Sequence, residues 1–136
     1  MATLTSGLPD HVADDEDLAR FLTQSNHFST LMAKPAAFLP ALKDRETSVS
    51  RHGSEPLERL WSLGEEAAGV RRLYGAAIFK AVVVRAINLD VLPHEPPPRH
   101  AAIRGWPWNE TDPELQKAKQ KELAAIIAKS AVVLRR

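Results

Sequence analysis

Five histidines, His11, His27, His52, His94 and His100, are the side chains of this chain best suited to acid–base chemistry near neutral pH. His27 sits in Asn26-His27-Phe28-Ser29, and His100 follows the proline-rich stretch 93–98. Both stand at expected boundaries between elements, where a rigid frame holds functional groups on loops. Two histidines and an arginine form a minimal set for acting on a phosphodiester or phosphoanhydride: one base, one acid, and one cation for the developing charge. His27 and His100 would be the acid–base pair, and Arg51 the cation on phosphate, with Arg104 as its substitute. In the competing reading, each histidine ends a strand or bonds a backbone carbonyl. Nothing in the spacing forces the three to converge.

His94, Glu95 and His100 have the ligand types of a zinc or iron-like site, but Pro96, Pro97 and Pro98 oppose wrapping all three around one ion. The expectation is therefore no metal and no cofactor. The chain has no cysteine, which removes disulfides, thiolate zinc sites, iron–sulfur clusters and thiol nucleophiles together. None of the strings GxxxxGKS/T, GxGxxG, GxSxG or HExxH occurs. A different chemistry, binding, is suggested by Trp106-Pro107-Trp108 with Arg99 and Arg104 beside it. Tryptophans anchor protein interfaces, and exposed indoles also stack on bases while arginine takes phosphate. The cluster thus fits a protein partner or a second copy first, and nucleic acid second. Alternatively, both indoles close the end of the core.

These groups must be positioned by the elements between them. Residues 1–13 read as a flexible arm and 14–136 as one domain. Asp14, Asp15, Glu16 and Asp17 ahead of Leu18, Phe21 and Leu22 predict a helix from about Asp15 to Gln24, its first turn acidic against the helix dipole. Pro35 and Pro40 keep residues 34–40 extended or turn-like. Thr47 to His52 alternates and suits a strand. Ser54 and Pro56 open a second helix that closes near Gly64 or Gly69. The apolar stretch from Tyr74 to Leu92, with Val82, Val83, Val84 and Ile87 at its centre, favours a buried strand, bent or preceded by a helix. After the rigid proline loop, residues 100–105 give a strand and Thr111-Asp112-Pro113-Glu114 a strong helix start. That helix runs to Lys129 or beyond, with Lys117, Lys119 and Lys121 on a solvated face. The fold class is α+β: a small mixed or antiparallel sheet of three to five short strands with about three helices.

The sequence has 136 residues, 44% hydrophobic and 26% charged, an ordinary globular composition that excludes collagen-like, disordered and coiled-coil chains. No apolar run approaches the ~20 residues of a bilayer span, and no secretory signal pattern opens the chain, so the expectation is a cytoplasmic protein without membrane contact. The net charge of +1 conceals an asymmetry. Met1 to Ala68 carries 11 acids and 6 bases, while Gly69 to Arg136 carries 6 acids and 12 bases. Either the halves neutralise each other on packing, or the second half offers a basic face to nucleic acid or an acidic partner.

The order His27-Phe28, Ala37-Phe38 with Pro40, Ser48-Val49-x-Arg51 and His100-Ala101-x-Ile103-x-Gly105, with Leu123-Ala124 and Ala128 following, resembles a group of short uncharacterised bacterial proteins. The resemblance implies bacterial origin and an α+β domain, brings no activity with it, and marks His27, Arg51 and His100 as the polar positions to test. His27-Phe28-Ser29 is also similar to one of the paired HxT/S tripeptides of two-histidine phosphoesterases, but His100-Ala101-Ala102 has no hydroxyl in the matching place. The leading expectation is a non-catalytic interaction module or small subunit of a larger bacterial assembly. The alternatives are a small nucleotide or phosphodiester enzyme using His27, Arg51 and His100, and a nucleic-acid-binding accessory protein.

Overall fold

In the computed structural model, which describes residues 3–53 and 55–136, the chain runs through β1 (Asp17–Leu22), β2 (Phe28–Ser29), β3 (Met32–Ala33), β4 (Thr47–Arg51), α1 (Leu57–Ala68), β5 (Gly75–Lys80), α2 (Ala81–Ala86), β6 (Asp90–Pro93), β7 (His100–Arg104), α3 (Pro113–Ser130) and β8 (Val132–Arg135). Six strands form one antiparallel sheet in the order β6-β7-β4-β1-β5-β8, and β2 and β3 form a small hairpin of their own. The fold is α+β as expected, but the sheet is larger than three to five strands. Residues 132–135, expected as helix, form its edge strand. Ser54, expected as a helix cap, lies outside the described residues.

The expected first helix is instead β1, the centre of the sheet. Its acids are consumed sideways rather than by a helix dipole. Glu16 pairs with Arg51, Asp17 with Lys80 and Asp14 with Arg85. Both parities of Leu18-Ala19-Arg20-Phe21-Leu22 are apolar because both faces of a central strand are covered, and such a run carries no strand period. Leu18 and Leu22 enter the main core with Val49, Phe79, Val84, Val91, Ile103 and Ile127, while Ala19 and Phe21 face α1.

The stretch 75–93 is strand β5, then helix α2 running into strand β6. The β-branched Val82 to Val84 are helical here, against their propensity, because tertiary contacts override it. Ala81 and Val84 bury one face, and the first amides of α2 find acceptors in the carbonyls of Glu16 and Asp14. In α3, Asp112 caps the helix by accepting from the Leu115 amide, as the sequence signal requires. Lys117, Lys119 and Lys121 are all exposed on it.

Bases of the second half meet acids of the first in Lys80–Asp17, Arg85–Asp14, Arg99–Glu55, Arg104–Glu46 and Arg136–Glu65. The charge asymmetry is thus spent largely inside the fold. Residues 3–13, expected as an arm, lie against the body. Ser6 donates to Glu95, Arg51 donates to the carbonyls of Pro9 and His11, and Val12 is buried. No helix is long and apolar enough to cross a membrane among the described residues.

The two sheet faces are covered unequally. Helices α2 and α3 and the turn Pro35–Phe38 close the first. On the second, α1 packs over β1 and β5 through Leu60, Trp61, Ala19 and Ala76. Gly64 makes that approach possible, since a β-carbon there would overlap the Phe21 ring and Leu73. Beyond β1 the second face is left open.

Candidate functional site

Cross-strand register decides what the open face displays. Ser50 pairs with His100 and Ser48 with Ala102, and paired residues share a face. Their neighbours Thr47, Val49 and Arg51 therefore point the other way, into the first layer. The hydroxyls of Ser48 and Ser50 and the imidazole of His100 form a polar row on the floor of a cleft of about 560 Å³. One wall is the end of α1, with Leu63, Glu66 and Ala67 followed by Arg71; the other is Pro97 and Pro98, and Phe21 and Thr23 close the third side. Rigid prolines and a helix fix two walls of a space sized for a small ligand.

Arg20 owes its place in this cleft to a split in the sheet. Strands β1 and β4 pair only at Leu18–Arg51 and Ala19–Ser50, whereas β1 and β5 pair along all of β1. Where β1 and β4 part, the Ser48 carbonyl loses its strand partner. Arg20 fills the gap, donating from Nη1 to that carbonyl at 2.9 Å and from Nε to Ala37 O at 2.7 Å. Arg71 is held by the end of α1, with Nε and Nη2 each 3.1 Å from the carbonyls of Ala68 and Ala67. Burial, and then the charge of Arg71, lower the proton affinity of Arg20.

The expected acid–base set is not gathered in one place. His100 lines the cleft, with Nδ1 2.7 Å from the His94 carbonyl and its ring 5.2 Å from the His94 ring. His27 stands on the turn Ser25–His27, which packs on the first-layer turn Pro35–Phe38, and does not line the cleft. Burial and the nearby charge of Arg20 lower its pKa. Arg51 is 1% exposed on the opposite face of the sheet. Its guanidinium is engaged by Glu16 at 2.5 and 2.9 Å and by the carbonyls of Pro9 and His11 at 2.7 and 3.2 Å. It ties the N-terminal segment to the sheet and has no face open to a phosphate.

The expected binding cluster is likewise dispersed. Trp106 is buried in the main core, its indole N–H without a partner among the described residues. Trp108 is half-buried, with Arg45 over its ring at 4.5 Å and Arg45 in turn on Glu110 at 3.0 Å. Arg99 is buried, donating to the carbonyls of Arg51 and His52 and pairing with Glu55, so it locks the end of β4. Arg104 pairs with Glu46. Glu95, offered above as a metal ligand with His94 and His100, accepts from Ser6 and from the Arg99 amide. Among the described residues no three His, Asp or Glu side chains gather as a metal ion would require.

Sequence reading missed Arg20, Arg71, Ser48 and Ser50. The serines were legible in principle, since the alternation that marks β4 as a strand also puts both hydroxyls on one face. Arg20 and Arg71 had no such signal, because the split between β1 and β4 is a property of the sheet. Comparison of the chain with protein-family models, with curated proteins and with solved structures finds no match.

Proposed function

We propose that the protein is a small-ligand-binding module whose working surface is the cleft on the open half of the sheet. The observation that carries this reading is the unequal cover of the two faces, which leaves Ser48, Ser50 and His100 at the bottom of a walled cavity. The groups offered there are hydroxyls, guanidiniums, the Glu66 carboxylate and one imidazole already committed at Nδ1, a set that binds and orients. The test is amide NMR of the full chain titrated with uncharged aromatic fragments such as phenol. Shifts should concentrate at Thr23, Ser48, Ser50 and His100 and vanish in Ser48→Phe, which fills the floor from an exposed position. Shifts that survive Ser48→Phe would sink the reading.

A second reading, docking to a protein partner, has Trp108 in its favour, because that indole stays half-exposed on a loop while Trp106 does not. Trp108→Ala should then abolish partner capture or self-association while leaving the melting temperature almost unchanged. Association unaffected by that change would remove the support.

A further inference from the structure

Arg20 and Arg71 share one end of the cleft, and among the described residues no carboxylate forms an ion pair with either. Both are pinned by neutral backbone carbonyls, which fix the guanidiniums without cancelling their charge. The buried Arg51 and Arg99 and the half-buried Arg85, by contrast, do have carboxylates. Two like charges at one end of a cleft, Arg20 half-buried and Arg71 exposed at its rim, repel one another, and an anion placed between them reverses the sign of the interaction. Forked guanidiniums match phosphate oxygens in bidentate geometry, and a phosphate dianion brings two charges to two cations where a carboxylate brings one. The hydroxyls of Ser48 and Ser50 on the floor supply further donors. Glu66 is exposed on the α1 wall and repels a second anionic group there, so it confines the charged end of a ligand to the two arginines.

We propose that the cleft binds a phosphate-bearing small molecule, its phosphate between Arg20 and Arg71 and its uncharged body over Phe21 toward Pro97 and His100. This rests on the cleft being the working surface. A volume of about 560 Å³ leaves room for a body the size of a ring or nucleoside beyond the phosphate. The role of Arg20 is double: it patches the split in the sheet and turns its remaining edge to the ligand. Arg71, exposed and placed after the helix, can be changed without disturbing the fold.

The experiment is an amide NMR titration of the full chain with inorganic phosphate, phenyl phosphate and phenol. Inorganic phosphate should shift Thr23, Ser48, Ser50 and Arg71. Phenyl phosphate should shift these and His100, and bind about tenfold more tightly than either of its parts. Arg71→Gln should weaken phenyl phosphate about tenfold or more and leave phenol binding unchanged, while Lys119→Gln should alter neither. Phosphate shifts that follow Lys117, Lys119 and Lys121 instead, or that persist in Arg71→Gln, would overturn the assignment. If phenol binds in the cleft and both phosphates fail, the ligand class is wrong and the cleft reading stands; if none binds, both fall.

Discussion

Replacing Arg51 with methionine separates a structural arginine from a phosphate-binding one. The change keeps an unbranched stem in a site 1% exposed but removes the guanidinium and its four hydrogen bonds. It strands the Glu16 carboxylate, whose side chain is 17% exposed, and frees the carbonyls of Pro9 and His11. Removing one partner of a buried pair costs ~3–5 kcal/mol, chiefly because the other charge is left without compensation. Partial exposure of Glu16 lets water reach it, so the lower end, about 3 kcal/mol, applies. For a chain of this length that is a fall of roughly 10 °C in the melting temperature. Urea unfolding at pH 7 measures it, and adding Glu16→Gln should recover about 1 kcal/mol or more by removing the stranded charge. Proteolysis should also cut within residues 3–13 faster than in the parent chain. A loss below about 1 kcal/mol would refute the account, since an arginine so engaged cannot be that dispensable.

Gly75→Ala should detach the edge strand: a β-carbon there overlaps the Leu134 carbonyl and comes within 3.2 Å of Arg135 Cα, so about 2–3 kcal/mol should be lost. Hydrogen exchange at residues 132–135 should accelerate, and unchanged protection would contradict the overlap. Trp106→Ala should cost ~3–5 kcal/mol as a core truncation. Trp106→Phe should cost much less, because the indole N–H lost has no partner; equal losses would point to a missing bond. Burial holds the His52 and His27 imidazoles below the ordinary histidine value. The unfolded chain then takes up those protons first, so this stability is complete above pH ~6.5 and declines as pH falls toward the lowered folded values. His52→Gln should flatten the decline between about pH 7 and 5, and an unaltered slope in urea unfolding would count against it.

How much could be read in advance depended on whether a signal was local. The cap at 111–114, the alternation in 47–51 and the helix before Gly69 are set by neighbouring residues, and each appeared where expected, whereas residues 35–38, expected to be extended or turn-like rather than helical, form a short 3-10 helix. Strand β1, expected as helix, and Val82 to Val84, where strand was favoured over the helix kept as alternative, departed from expectation for one reason. Their character comes from partners far along the chain: β4 and β5 for β1, and the carbonyls of Asp14 and Glu16 for α2. The same holds for the site. His100 was visible as a boundary residue, and its cleft partners Ser48 and Ser50 were visible as a strand. Arg20 and Arg71 become a pair only once β1 and β4 diverge beneath the end of α1.

The strand order has a bearing on how the protein comes to be folded. The central strand pairs Leu18 with both Arg51 and Phe79, so its two neighbours must be delivered across long loops before it has a place. Domains built on such non-local pairings fold in roughly milliseconds to seconds, slowly for their size. Through that interval Leu18-Ala19-Arg20-Phe21-Leu22, apolar on both faces but for Arg20, is unsheltered, the kind of segment that joins other chains. The acids at 14–17 precede it directly, and in the unfolded ensemble, before Arg51, Lys80 and Arg85 arrive, they remain unneutralised. Mutual repulsion between them keeps two such segments apart. One acidic run therefore serves twice, as a guard against aggregation while the chain waits and as the set of ionic latches that holds its central strand once it has closed.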